Sequence, residues 1–246
     1  AATAIPPGVR LRADDWGMND RIRRDGTRAL VACAAQIHAK LYAQESIVWV
    51  ARTPDGSPFD ETSPTAPRAW FASALDAERI AADAEQQAGF AVATLRFGGF
   101  YGSDSAQTRL MGQRLVRRKL PLLGRGDAVW SNVHLDDAAS ALVAAIERAE
   151  GGLWHVVDDR PATASEFFGT FAKLLQAPEP RHVPLWLARL AVGSETADFL
   201  AATARTSNAK IKRDLGWVPR YPSVEDGLRQ VVDAWRVEGF PERRSR

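Results

Sequence analysis

Ala91-Val-Ala-Thr-Leu-Arg-Phe-Gly-Gly-Phe-Tyr-Gly102 is the stretch whose reading decides the fold. Ala91 to Arg96 is a short apolar run that follows a helical pattern ending at Gly89 and runs into a glycine-rich turn. A continuous apolar run after a helix marks a parallel strand covered on both faces. A buried helix segment also fits such a run, but its shortness and glycine flanks favour a strand. In parallel sheets of this kind, ligands bind beyond the carboxyl ends of the strands. The functional crevice is therefore expected around Phe97 to Tyr101.

Working outward, two more strands are readable, at 40–46 and 153–157. Before the first lies a helical pattern from about Asp20 to Ala35. Its Ile22, Leu30, Cys33 and Ile37 share one face, with Arg21, Arg23, Arg24 and Arg28 crowding the rest as a solvated face. Cys33 is accordingly expected in the core. Residues 52–67 form a loop rich in Pro, Ser, Thr and Asp. Arg68 to Ala88 is a long helix carrying Ala74, Ala77, Ala81, Ala84 and Ala88 as a stripe of small residues. The stripe suits close packing, and it also suits a homodimer through the helices at 20–35 and 68–88.

Beyond the central strand, Ala106 to Lys119 reads as a basic helix, either solvated or facing an anion. Asp136 to Arg148 is a helix with two carboxylates in its favourable first turn. The last third is a small helical subdomain, 161–246, without a strand signal. It holds a Thr163–Glu166 capping box, a helix at 186–192, a short helix capped by Ser207-Asn208, and a last helix from Ser223 to about Val237. The tail from Glu242 reads as disordered.

Strands alternating with helices imply a doubly wound parallel α/β sheet over 1–160. Three strands make a poor domain, and the strand at 40–46 would leave a bare apolar edge. With a chain that opens on Ala1 rather than Met, this predicts further strands before residue 1.

Composition narrows the function. The 246 residues hold 46% apolar side chains, enough for a sizeable core. Lys and Arg number 32 against 30 Asp and Glu, a net charge of +2, so neither the balance nor any local run argues for nucleic acid. One cysteine excludes an internal disulfide framework and fits a reducing, cytoplasmic setting. Four scattered His give no metal-ligand spacing. No apolar run is long enough to span a membrane.

Several motifs then fall into a familiar order: Gly26-Thr27-Arg28-Ala29-Leu30-Val31, Ser46 at a strand end, Leu95-Arg96 through Tyr101-Gly102, Val133-His134-Leu135-Asp136-Asp137, Val156-Val157-Asp158-Asp159, and Ser207-Asn208-Ala209-Lys210 through Leu215-Gly216-Trp217. Over roughly residues 19–228 the chain resembles the C-terminal two-thirds of an extended short-chain dehydrogenase/reductase of the NAD-dependent epimerase/dehydratase type. The resemblance implies an incomplete Rossmann-like sheet, NAD or NADP as cofactor, and a small-molecule substrate held by the helical subdomain. The family's glycine-rich phosphate loop would precede residue 1. Gly98-Gly99 is no substitute, because no suitably spaced helix N-terminus follows.

The resemblance also assigns a site. Family members work through Ser or Thr, Tyr and Lys. Ser46 matches the Ser position, whereas Trp70 and Ala74 occupy the Tyr and Lys positions. An indole has no acidic hydroxyl, and a methyl group cannot lower a neighbour's pKa or hold a ribose. Phe97 and Gly98 are expected against the nicotinamide, and Trp70, Phe100 and Trp130 against an apolar or aromatic substrate. Trp130 stands where nucleotide-sugar members carry Arg, Gly99 where they carry Asn, and Arg23 where the family's Asn precedes Gly-Thr. These departures count against a nucleotide-sugar epimerase. His134 reads as structural and Arg96 as a tie between strand end and loops. Three readings stay open: an atypical NAD(P)-dependent oxidoreductase or epimerase/dehydratase-like enzyme acting on a small carbonyl or hydroxyl substrate, with Ser46 polarising the carbonyl; a non-catalytic cofactor- or ligand-binding member; and a chain unable to bind cofactor alone.

Overall fold

The computed structural model describes residues 13–240. The sequence expectations for residues 1–12 and for the tail from Glu242 lie outside the described residues. A short 3-10 turn leads into α1 (Gly17–Arg21), a π-helical turn (Ile22–Gly26) and α2 (Thr27–Gln36), which together form one nearly continuous helix. Then come β1 (Leu41–Ile47), α3 (Ala72–Ala88), β2 (Ala91–Phe97), β3 (Gly99–Tyr101) and α4 (Ala106–Val116). Next are β4 (Leu122–Leu123), β5 (Val129–Trp130), β6 (Asn132–His134), α5 (Leu135–Arg148) and β7 (Gly152–Val156). Last are β8 (Ala162–Thr163), α6 (Ala164–Leu174), β9 (His182–Val183), α7 (Leu185–Val192), α8 (Ser194–Leu200), α9 (Ala209–Leu215) and α10 (Val224–Val237).

The three strands read from sequence form one parallel sheet in the order β1-β2-β7. β2 lies at its centre and is buried over all but its first residue, which is why its sequence is apolar except at Thr94 and Arg96. One face packs on α5 and α9 through Leu95, Phe97, Ala141 and Ile211. The other is covered by α2 and α3 through Val31, Ala34, Ala81 and Val92. α3 stops at Gly89, whose φ of 74° is the left-handed conformation that glycine adopts most freely, and whose N–H reaches the Glu85 carbonyl.

Local caps fix the later helices. Thr163 and Glu166 form the expected capping box, and Ser223 accepts from the Asp226 N–H. His134 caps α5: its Nδ1 accepts from the Asp136 N–H at 3.2 Å, so Nε2 donates to Gln230 Oε1 at 3.0 Å. Asp137 then accepts the backbone N–H groups of Arg220 (2.6 Å) and Tyr221 (2.9 Å), tying the last third to α5. A second core joins Tyr101, Leu115 and Leu122 to Phe167, Phe171, Leu228 and Trp235.

The structure corrects the sequence reading in four places. Cys33 is exposed, as are Leu30 (47%) and Ile37 (69%). The buried face of the first helix is instead Arg23, Thr27, Val31 and Ala34, because small residues are what let it lie against α3 and β1. Arg23 is thus not solvated but 9% exposed. α4 ends at Val116, and its Arg109 pairs with Glu238 and lies over the Trp235 ring. Finally, the last third carries strands β8 and β9, which pair with β5 and β4, and the unanticipated α8.

Candidate active site

Ser46, Arg96 and His155 are in register across the sheet, so their side chains share a face at the carboxyl ends of β1, β2 and β7. All three are buried. Glu78 of α3 reaches down to them. Its carboxylate accepts Arg96 Nε at 2.8 Å and Nη2 at 2.7 Å, and accepts the Ser46 hydroxyl as well. A fork of this kind is the strong form of an ion pair. The consequence for Ser46 is direct: its one proton is committed to Glu78. Polarising a substrate carbonyl would require that hydroxyl to leave the carboxylate.

His155 continues the row. The Thr206 hydroxyl donates to the Phe59 carbonyl at 2.7 Å, so His155 Nδ1 is the donor toward Thr206 Oγ1, also at 2.7 Å. Nε2 therefore carries the bare lone pair and has no partner, and neither does Arg96 Nη1. Burial, with Arg96 nearby, holds the His155 pKa down to about 3, so the ring is neutral.

An aromatic layer packs on Ile47 and Val50, just past Ser46 at the end of β1. Trp70 and Ala74 are both buried, and they sit in one cluster with Trp16, Ile47, Val50, Phe71 and Leu75. Trp70 stacks on Trp16 with ring centroids 6.2 Å apart and meets Phe199 edge-on at 6.0 Å. Trp49 stacks on Phe71 at 6.3 Å, and Phe199 lies 5.3 Å from Phe71. Trp16, Trp70 and Phe71 are the inner layer, while Trp49 and Phe199 are only partly buried and face outward. Trp49, Phe71 and Phe199 escaped the sequence reading because they are brought together from three separate segments. Glu78 escaped as well: it stands four residues past Ala74 on the buried face of α3, but nothing in Ser46 marks it as a partner.

Phe97 is buried, with Phe100 half-exposed beside it at 5.2 Å. A Cβ at Gly98 would overlap the Ser131 carbonyl oxygen, so glycine is needed there for the chain to pass so close. Gly99 lies beside Trp49, which links this turn to the aromatic layer. Trp130 stands apart: it packs edge-on against Phe168 at 5.9 Å in the second core.

The first helix also bears on the site. Trp16 faces Trp70 and Arg24 bonds Asp76 at 2.8 Å, so the turn that carries Arg23 runs beside Ser73 and Ala74. Arg23 Nε and Nη1, Trp16 Nε1 and Ser73 Oγ are all buried there without hydrogen-bond partners among the described residues. Burial lowers the Arg23 pKa, with Glu45 and Asp20 opposing. These orphaned donors fit the hydroxyl and phosphate oxygens of a dinucleotide. The Tyr–Lys contact to a ribose has no counterpart on α3.

Asp158 is a further buried group, 2% exposed, with both carboxylate oxygens unpartnered. Burial, with Asp159 and Asp137 nearby, pushes its pKa up to about 8. Among the described residues no cluster of His, Cys, Asp and Glu could hold a metal ion.

Comparison with known proteins agrees with this geometry. Residues 15–156 match the family model described as the NAD dependent epimerase/dehydratase family. A Streptomyces protein named 3-diazoavenalumate denitrifying reductase is 35% identical over 234 residues, covering 89% of this chain and 75% of its own. Among solved structures, the UDP-glucose 4-epimerase of Thermotoga maritima superposes with a TM-score of 0.78 at 18% identity, covering 96% of this chain and 76% of that one. The dTDP-glucose 4,6-dehydratase of Streptomyces venezuelae, solved with NAD, gives 0.74 at 23%, with 94% and 72% covered. A human epimerase family protein solved with NADPH gives 0.76 at 18%, with 91% and 76% covered. The parallel sheet, the Ser46 row and the family match together place the chain in the NAD-dependent epimerase/dehydratase family.

Proposed function

We propose that the chain is a reductase unit that works with a nicotinamide coenzyme on a substrate needing no proton from the protein. The observation that carries this reading is the state of the family's three proton-handling positions. Trp70 and Ala74 cannot exchange a proton, and the Ser46 hydroxyl is held by Glu78. Bound NAD(P)H would supply a hydride. Reduction of a carbonyl leaves an alkoxide that must be protonated. An aryl diazonium differs: it gains hydride, breaks its C–N bond and ends as an arene and dinitrogen, with charge and atoms balanced and no further proton. The name of the Streptomyces relative, a reductase that removes nitrogen from a diazo compound, supports the same class.

In this reading the chain's own residues bind and shield. Arg23 and Trp16 offer donors to the coenzyme on the side where Lys is missing, and Phe97 and Gly98 line the nicotinamide end. Trp49, Trp70 and Phe199 form a water-poor aromatic wall, which favours a planar and electron-poor or cationic ring. Phe100 and Trp130 remain candidates for the outer part of the substrate site. Glu78 and Arg96 act through Ser46 and are positioning residues. The exposed Leu30 of α2 and Ile37 at its C-cap, with the helices at 20–35 and 68–88, supply the surface for a homodimer. The same loss of Tyr and Lys also suits a non-catalytic binding member. Following NADPH oxidation and gas release with an aryl diazonium salt, against a blank without protein, separates the two: oxidation above the blank supports the reductase, and binding without oxidation supports the binding member.

A further inference from the structure

The rim above the aromatic layer carries two arginines with no acid to match them. Arg52 directly follows the 3-10 turn Val48–Ala51 at the end of β1, three residues past Trp49. Arg68 precedes the turn that holds Trp70 and Phe71. Both are partly buried. Arg68 Nη1 donates to the Glu195 backbone carbonyl at 3.2 Å, which fixes it against α8, the helix that supplies Phe199. Arg52 Nη1 is buried and has no hydrogen-bond partner among the described residues. Among the described residues neither arginine forms an ion pair with a carboxylate. Burial lowers the Arg52 pKa first, and the positive Arg68 nearby lowers it further, so the charged neighbour that Arg52 feels is another cation.

The Ala66 N–H donates to the Val50 carbonyl at 2.9 Å, so the segments that carry Arg52 and Arg68 adjoin, and two guanidinium groups gathered there without a counter-ion cost stability unless an anion joins them. Guanidinium forks match the two oxygens of a carboxylate. Two partly buried rings accompany the arginines: Trp49, three residues before Arg52, and Phe199, on the helix that Arg68 contacts at Glu195, with ring centroids 6.2 Å apart. We propose that Arg52 and Arg68 bind the carboxylate of the substrate while Trp49 and Phe199 take its ring, so that the site accepts aromatic carboxylates. This assignment rests on the reductase reading for the identity of the site, and it adds the chemical class of what enters.

Calorimetric titration with cinnamate, and with cinnamamide as its uncharged match, tests the assignment at low ionic strength. The native protein should bind the acid at least about tenfold more tightly than the amide, a preference that salt weakens. Arg52→Gln and Arg68→Gln should each remove most of that preference while leaving the amide affinity unchanged, and Arg52→Lys should keep part of it. An amide affinity that stays at the native value shows that the variants are folded. Equal affinity for acid and amide, no binding of either, or a preference that survives both Gln substitutions would overturn the proposal. The titration needs no turnover. A failure of coenzyme oxidation therefore counts against the reductase reading alone, and a lost acid preference counts against the two arginines alone.

Discussion

Replacing Glu78 with Ala should be among the most damaging single changes in this fold, and the structure sets its size. Glu78 accepts three hydrogen bonds, two from Arg96 and one from Ser46. The Arg96 side chain is 4% exposed and that of Glu78 10%, so water cannot take over when the carboxylate goes. Removing one partner of a buried pair costs about 3–5 kcal/mol, because the other charge stays buried. The stranded Ser46 hydroxyl adds roughly 1–3 kcal/mol. Against a total stability of about 5–15 kcal/mol, this leaves the variant close to unfolding. For a chain of this length, each kcal/mol is worth about 2–4 °C, so the melting temperature should fall by at least about 10 °C. Thermal and urea unfolding followed by circular dichroism measure it. Glu78→Met combined with Arg96→Met should be milder than Glu78→Met alone, since no charge is left behind. A loss under about 1 kcal/mol for Glu78→Ala, or a double variant worse than the single, would refute the reasoning.

Two further predictions concern other parts of the molecule. Burial first, with Asp159 and Asp137 nearby, pushes the Asp158 carboxyl up to about 8, well above the ordinary carboxylate range, so the folded protein holds the neutral acid at neutral pH. The cost of ionising it is fully present above pH 8 and is relieved as pH falls through that value. Urea unfolding should therefore show a protein stabilised by acidification from pH 9 to pH 6, and Asp158→Asn should be more stable at pH 9, by an amount on the order of a few kcal/mol, with a flatter profile. On α2, Leu30→Glu with Ile37→Glu should give a monomer in sedimentation if the exposed stripe joins two copies. An unchanged sedimentation coefficient would remove that surface from the account.

How much of this was legible in the sequence depends on the kind of force involved. β2 could be read because burial on both faces demands an unbroken apolar run, and α6 because its capping box is local. The parallel sheet followed from the alternation of strands with helices. The first helix was misjudged because hydrophobicity did not choose its buried face. Thr27, Val31 and Ala34 face inward because they are small or branched enough to fit, and Arg23 goes with them, while Leu30, Cys33 and Ile37 are left outside. The short pairings of β8 and β9 are two residues each and depend on partners far along the chain. At the site, motif made Ser46, Trp70 and Ala74 candidates. The Glu78 fork could not be read, because nothing in Ser46 itself tells where its proton goes. The outer rings came from separate turns that only the folded chain brings together.

The central claim is that the protein chemistry here has given up proton delivery. Its most direct measurement is coenzyme oxidation by the native protein and by the double variant Trp70→Tyr with Ala74→Lys, each offered an aryl diazonium and a panel of aryl aldehydes and ketones. The account predicts turnover of the diazonium by the native protein without measurable carbonyl reduction, and a gain of carbonyl reduction in the double variant. Carbonyl reduction by the native protein at a rate equal to that of the double variant would contradict it.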